Sequence, residues 1–135
     1  MATKSWTDKL YSGKKPVVKK LDYDFAGIPA HSAMLVATPE IIDNYIREIP
    51  EAVTVSPEVM RKDIALAHGA EYTCPVSTGI FLRIVAEASY EQYLKGTPAD
   101  KITPFWRVVA PSSPLAKKLA SGTDFILKQR AAEGQ

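Results

Sequence analysis

Apolar residues along the chain recur with two different periods, and prolines interrupt them. Residues 31–37 (HSAMLVA) form an apolar run closed by Thr38-Pro39 and predict a short strand. Thr38 suits a helix N-cap, and Pro39 suits the first helical position, where proline's missing N–H sacrifices no bond. Ile41, Ile42, Tyr45, Ile46 and Ile49 then share one helical stripe, which Pro50 stops. Ser56-Pro57-Glu58 repeats the start signal, Val59, Met60, Ile64 and Ala67 supply a second stripe, and Gly69 suits a left-handed C-cap. A third helix is predicted from a cap at Ser77 or Thr78 to Lys95-Gly96, with Phe81, Ile84, Val85 and Ala88 inward. Two helices joined by a compact turn suggest a helix-turn-helix. Residues 105–109 (FWRVV) are aromatic and β-branched and predict a buried strand or extended segment. Ser113-Pro114 starts another short helix, and Thr123 is the expected cap of a final helix running through Arg130. The fold class that follows is mostly α with a minor β component.

At 135 residues, 46% of them hydrophobic and 24% charged, the chain has the size and mixture of one globular domain. No run approaches the roughly 18 apolar residues of a membrane helix, and residues 1–20 lack a signal peptide's apolar middle, so no membrane partner and a cytoplasmic location are expected. One cysteine, Cys74, with His31 and His68 supplies a zinc site poorly, and no metal or cofactor is expected. The net charge of +2 permits contact with a polyanion without arguing for it. Its distribution says more. Lys4, Lys9, Lys14, Lys15, Lys19 and Lys20 face only Asp8 in the first twenty residues, either as a basic arm for phosphates or as a solvated N-terminus.

Four segments in chain order resemble the C-terminal domain of the alkylguanine-DNA alkyltransferases and the alkyltransferase-like proteins. Residues 42–50 (IDNYIREIP) are similar to that family's opening helix, which ends in Ile-Pro. Asp63-Ile64-Ala65 resembles the Glu/Asp-Ile-Ala closing its first helix-turn-helix element. Leu82-Arg83-Ile84-Val85-Ala86 resembles the Ala-Arg-Ala-Val-Gly of its recognition helix. Thr103-Pro104-Phe105-Trp106-Arg107-Val108-Val109 resembles its Val-Pro-Cys-His-Arg-Val-Val, and Glu133-Gly134 its closing Glu-Gly. The resemblance implies a winged-helix, helix-turn-helix-like domain over residues 38–135, with residues 1–37 as a basic extension carrying the possible strand.

The departures bear on chemistry. In the family a cysteine thiolate accepts the alkyl group and the next histidine serves its proton relay. Phe105 and Trp106 offer neither nucleophile nor base, so the expectation is a protein without alkyltransferase activity. Arg83 stands where the family's arginine enters the base stack, a role suited to a planar cation. It equally suits a surface pair with Glu87 one turn on. Ser77, Thr78 and Ser56, at the helix starts, complete the expected DNA-binding set. The family's tyrosine after the Thr/Ser start has no counterpart in Ser56-Pro57-Glu58.

An altered alkyl pocket is expected from Phe105, Trp106, Arg107, Ser121 and Gly122. Arg107 has the alternative of an ion pair, Trp106 that of core packing, and Gly122 that of a tight turn. Cys74 reads either as a displaced acceptor activated by a helix N-terminus or as a small buried hydrophobe. His68 fits a favourable charge at a helix C-terminus. The leading expectation is a non-catalytic binder of duplex DNA, opposed by Glu87 and Glu91 if they face the phosphates. The alternative is a protein-interaction module using residues 1–37, and a third reading is an unrelated enzyme built on Cys74.

Overall fold

The first strong cap belongs to a helix that the apolar pattern does not announce. In the computed structural model, which describes residues 5–134, α1 (Trp6–Leu10) opens with a capping box. The Ser5 hydroxyl accepts from the Asp8 amide at 3.0 Å, and the Asp8 carboxylate accepts from the Ser5 amide at 3.4 Å. Leu10 enters the main core with Leu35, Ile42 and Val85. Residues 1–37 therefore supply part of that core; Lys4 of the expected basic arm and Gln135 lie outside the described residues.

Three strands form one sheet in the order β1 (Val17–Lys20), β2 (Ala33–Val36), β3 (Tyr72–Thr73). β1 and β2 are antiparallel and β2 and β3 parallel, with Leu35 opposite both Val18 and Thr73. The expected strand at 31–37 is β2. Its two partners carry no alternating signal, because β1 is exposed throughout and β3 is only two residues long.

α2 (Pro39–Arg47) starts as its sequence dictates, with the Thr38 hydroxyl accepting from the Ile41 amide at 3.2 Å. It buries Ile42 and Ile46. α3 (Pro57–Ala67) is capped by Ser56 in the same manner and ends through Gly69 in the left-handed region at φ +69°. The Tyr45 hydroxyl donates to Asp63 at 2.5 Å and ties α2 to α3, and burial, with that carboxylate second, raises the phenol's pKa. His68 Nδ1 lies 2.9 Å from the Ile64 carbonyl, so that nitrogen carries the proton and closes the helix end.

α4 (Pro75–Leu94) is the central element, touching α1, α2 and the 105–107 turn. It starts before the predicted cap. Cys74 is the N-cap, without a side-chain bond, and Ser77 and Thr78 fall in the first turn. Tertiary pairing moved the start: the Cys74 amide donates to the Leu35 carbonyl at 2.8 Å, and Pro75 then has its φ preset for N1.

Residues 105–109 form no strand. Phe105–Arg107 is a 3-10 turn, with the Val108 and Val109 amides donating to the Phe105 carbonyl at 3.1 and 2.9 Å. Phe105, Trp106, Val108 and Val109 are all buried, and a run buried without alternation has no period to distinguish strand from turn. α5 (Pro114–Lys118) is capped by Ser113 as expected. α6 (Gly122–Ala132) begins one residue before Thr123, with Ser121 at the N-cap position and Gly122 at φ +70°. Among the described residues the chain is mostly helical with a small three-stranded sheet, and no helix is long and apolar enough to cross a membrane.

Candidate functional site

α4 presents one open face. Val76, Gly79, Ile80 and Arg83 recur at helical spacing, and Val76 and Ile80 stay 56% and 57% exposed while Leu82, Val85 and Ala86 fill the core. Shallow grooves flank that face. One runs towards the β1 end and includes Lys19 and Lys20; the other runs towards α5 and includes Leu115 and Lys118. The Lys14 ammonium sits 5.8 Å from the Phe81 ring centroid on the same helix.

The two carboxylates of α4 expected to oppose phosphate are turned away. Glu87 is 4% exposed, accepts from the Ala120 amide at 3.0 Å and lies 3.6 Å from Arg83 Nε. Glu91 accepts from the Thr7 hydroxyl at 2.8 Å and from the Thr7 and Trp6 amides at 3.2 and 3.3 Å. Burial by itself would raise the Glu91 carboxyl, but the Thr7 and Trp6 donors and nearby Lys95 outweigh it and lower the pKa. Hence both charges are committed to donors within the fold.

Arg83 is poised on its own surface. Besides Glu87, its Nη2 donates to the Lys118 carbonyl at 3.4 Å, and its guanidinium carbon lies 5.6 Å from the Trp6 ring centroid. The side chain keeps 40% of its exposure, and Nε has no hydrogen-bond partner within 3.5 Å. The surface pair with Glu87 and a solvent-facing guanidinium thus coexist.

The other expected DNA contacts divide. Ser77 stands beside the groove on the β1 side, and its Oγ is buried without a partner. Thr78 is buried and its hydroxyl donates to the Cys74 carbonyl at 2.6 Å, so it is not available to a ligand. Ser56 is occupied in capping α3 and lines neither groove.

The expected pocket at Phe105 is filled. Phe105 is fully buried and stacks on Phe125 with centroids 5.9 Å apart and planes 11° apart; Trp106 meets it edge-on at 5.6 Å. Tyr90 and Tyr93 each meet the same Phe125 edge-on at 5.2 Å. The space that a pocket would need is occupied by interlocked rings, an arrangement aromatic quadrupoles favour.

Trp106 and Arg107 instead reach a cavity of about 430 Å³ on the far side. Arg107 Nη2 donates to Glu133 at 2.7 Å, its Nη1 to the Ile49 carbonyl at 2.7 Å, and Trp106 Nε1 donates to Glu133 at 2.9 Å. Burial would raise the Glu133 carboxyl, but Arg107, Trp106 and the Ala52 amide lower it. The arginine after the motif is therefore an ion-pair partner inside the fold. Ser121 and Gly122 line no part of this cavity; they turn the chain into α6 next to Ala120, which Glu87 holds.

Gly79 is the functional-face residue that the sequence reading passed over. A Cβ built there meets nothing within 4 Å, so no neighbour in the fold requires glycine, and glycine in a helix interior is destabilising by about 0.5–1 kcal/mol relative to alanine. Its only signal in the sequence is a glycine inside an apolar helical pattern. Cys74, the candidate displaced acceptor, is buried with Ile28 and Met34 in a small second core. Comparison with family models, curated proteins and solved structures yields no match to this chain.

Proposed function

We propose that the chain is a non-catalytic DNA-binding protein that lays the open face of α4 against duplex DNA. In this reading α3 and α4 are the pair of a helix-turn-helix of winged-helix type, on the resemblance of their sequences to the alkyltransferase C-terminal domain. The observation that carries the reading is the Val76, Gly79, Ile80, Arg83 face, flanked by Lys19, Lys20 and Lys118 while Glu87 is buried and Glu91 is held by the start of α1. A helix offered to a groove needs cations beside it, small residues at the closest approach and no carboxylate towards the phosphates.

The motif segments support the same scaffold. They fall on α2, the end of α3, α4 and the 105–107 turn, and the Arg107–Glu133 pair ties that turn to the closing Glu-Gly at the end of α6. Loss of chemistry fits this arrangement, since Phe105 and Trp106 carry no nucleophile or base and close the core around Phe125. Distorted or damaged DNA is the substrate class that the resemblance suggests.

For Arg83 the geometry favours a phosphate contact made where it stands. Entry into the base stack would withdraw it from Glu87 and leave that buried carboxylate with only the Ala120 amide. Anisotropy titration of a labelled duplex between roughly 50 and 200 mM salt tests the proposal, with affinity expected to fall steeply as salt rises. Absence of binding at the low-salt end, or indifference to Arg83→Ala, rejects it.

A protein-interaction role is the second reading, and β1 is what favours it. Among the described residues this strand has an unpaired outer edge, with Val17 and Val18 about half exposed, a place where a partner strand can add. Pull-down dependent on β1, without DNA affinity, selects it.

A further inference from the structure

The groove on the β1 side of α4 is more than the margin of a DNA-facing helix. It encloses about 410 Å³, within the roughly 300–1,000 Å³ range of small-molecule sites. Its floor is Met34, on the sheet face opposite the one that Leu35 presents to the main core. Lys19 pairs with Met34 in register and so stands on the groove side of β1. Tyr23 and Phe25 rise at the mouth, with Tyr23 71% exposed and without an aromatic neighbour. Ile80 and Ser77 line the α4 side.

These features specify an occupant with two parts. It has a flat apolar face for Tyr23 and Phe25 and a negative charge for Lys19, with Lys20 close by and Asp22 the single acidic residue on the wall. An aliphatic chain leaves the lysines unused. A nucleotide uses both features, since aromatic stacking with flanking cations is how unpaired nucleic acid is held without sequence preference. Val76 and Ile80 belong to both this groove and the open face of α4, so DNA lying on that face passes the groove mouth.

We infer that the groove between β1 and the start of α4 binds one unpaired nucleotide of DNA, with the base on Tyr23 and Phe25 and the phosphate on Lys19. The inference rests on the DNA-binding reading and extends it to a preference for duplexes carrying an unpaired base. It also places that base away from Phe105, where the aromatic core leaves no room.

The test compares a fully paired duplex with the same duplex carrying one unpaired 2-aminopurine, using the full chain, anisotropy for affinity and 2-aminopurine fluorescence for stacking. Wild type is expected to bind the bulged duplex about tenfold more tightly and to change the fluorescence. Tyr23→Ala, at an exposed site, is expected to abolish both the preference and the change while leaving paired-duplex affinity intact. Lys19→Gln is expected to lower bulge affinity several-fold and still permit the fluorescence change. Equal affinity for the two duplexes, or a preference that survives Tyr23→Ala, overturns the inference while Arg83-dependent duplex binding stands. Absence of binding to either duplex overturns both readings.

Discussion

The carboxylate of Glu91, in the last turn of α4, closes on Thr7 at the start of α1 and accepts its hydroxyl at 2.8 Å. One contact has two effects. It satisfies the free amides of a five-residue helix that is too short to stand alone, and it removes a negative charge from α4's outer surface. The N-terminal segment and the proposed DNA face are thereby one structural problem.

Glu91→Gln is expected to destabilise the fold by about 1 kcal/mol at neutral pH, because the amide keeps one acceptor and loses the charge. Since the folded carboxyl titrates below its ordinary 4.5, it stabilises above that value, and the stabilisation is lost as the pH falls through the lowered pKa. The gap between wild type and variant in urea unfolding should accordingly shrink towards acid pH. A gap that stays constant contradicts the charge-assisted contact.

Glu133→Ala is expected to be the more damaging change, by about 3 kcal/mol, because it leaves the largely buried Arg107 guanidinium and Trp106 Nε1 without their shared acceptor. Glu133→Gln should fall between the two, retaining an acceptor for Trp106. Thermal denaturation of the three proteins ranks them, and equal stabilities would remove the pair from the account of how α6 is held.

Gly79→Ala separates stability from function. A Cβ enters open space within a regular helix, so the variant should be more stable by about 0.5–1 kcal/mol and bind duplex DNA more weakly. A variant that gains stability and keeps its full affinity would show that nothing approaches α4 closely at this point.

Arg83→Ala should reduce duplex affinity and lower the slope of log affinity against log salt by about one phosphate contact, whereas Arg83→Lys should keep the slope. Anisotropy at several salt concentrations distinguishes them. An unchanged slope in the alanine variant would assign Arg83 to its internal partners Glu87 and Trp6 alone.

Restoring the missing thiol is not expected to restore chemistry. Phe105→Cys removes a ring stacked on Phe125 at 0% exposure, so a cost of about 3 kcal/mol is expected, with a thiol that reacts slowly with an aromatic disulfide reagent. Fast labelling of a folded variant would show that the aromatic core opens readily.

Much of the helical framework was legible because its signals are local. Thr38, Ser56 and Ser113 each precede a proline, and each hydroxyl caps the helix that follows, since a cap and a preset φ act within one turn. The Arg83–Glu87 pair and the ion-pair alternative for Arg107 were readable from chemistry and spacing, although the sequence did not say which carboxylate Arg107 would meet. What lay beyond local reading was set by partners distant in the chain. Cys74 became the N-cap of α4 because its amide joins β2, and the 105–109 run turned instead of extending as Phe105 packed on Phe125 of α6. α1 and β1 carry too few apolar positions to show a period, and they exist because Leu10 reaches the core and β2 offers an edge.

The candidate site divides along the same line. Residue types are a property of the sequence, and so is the absence of a nucleophile and a base at Phe105 and Trp106, which no folding can supply. Direction is a property of the tertiary structure: whether Glu87 and Glu91 meet phosphate or the fold's own amides, and whether Phe105 lines a pocket or fills one. A side chain's charge is written in its covalent structure, but the partner that neutralises or frees it is chosen by packing between segments tens of residues apart.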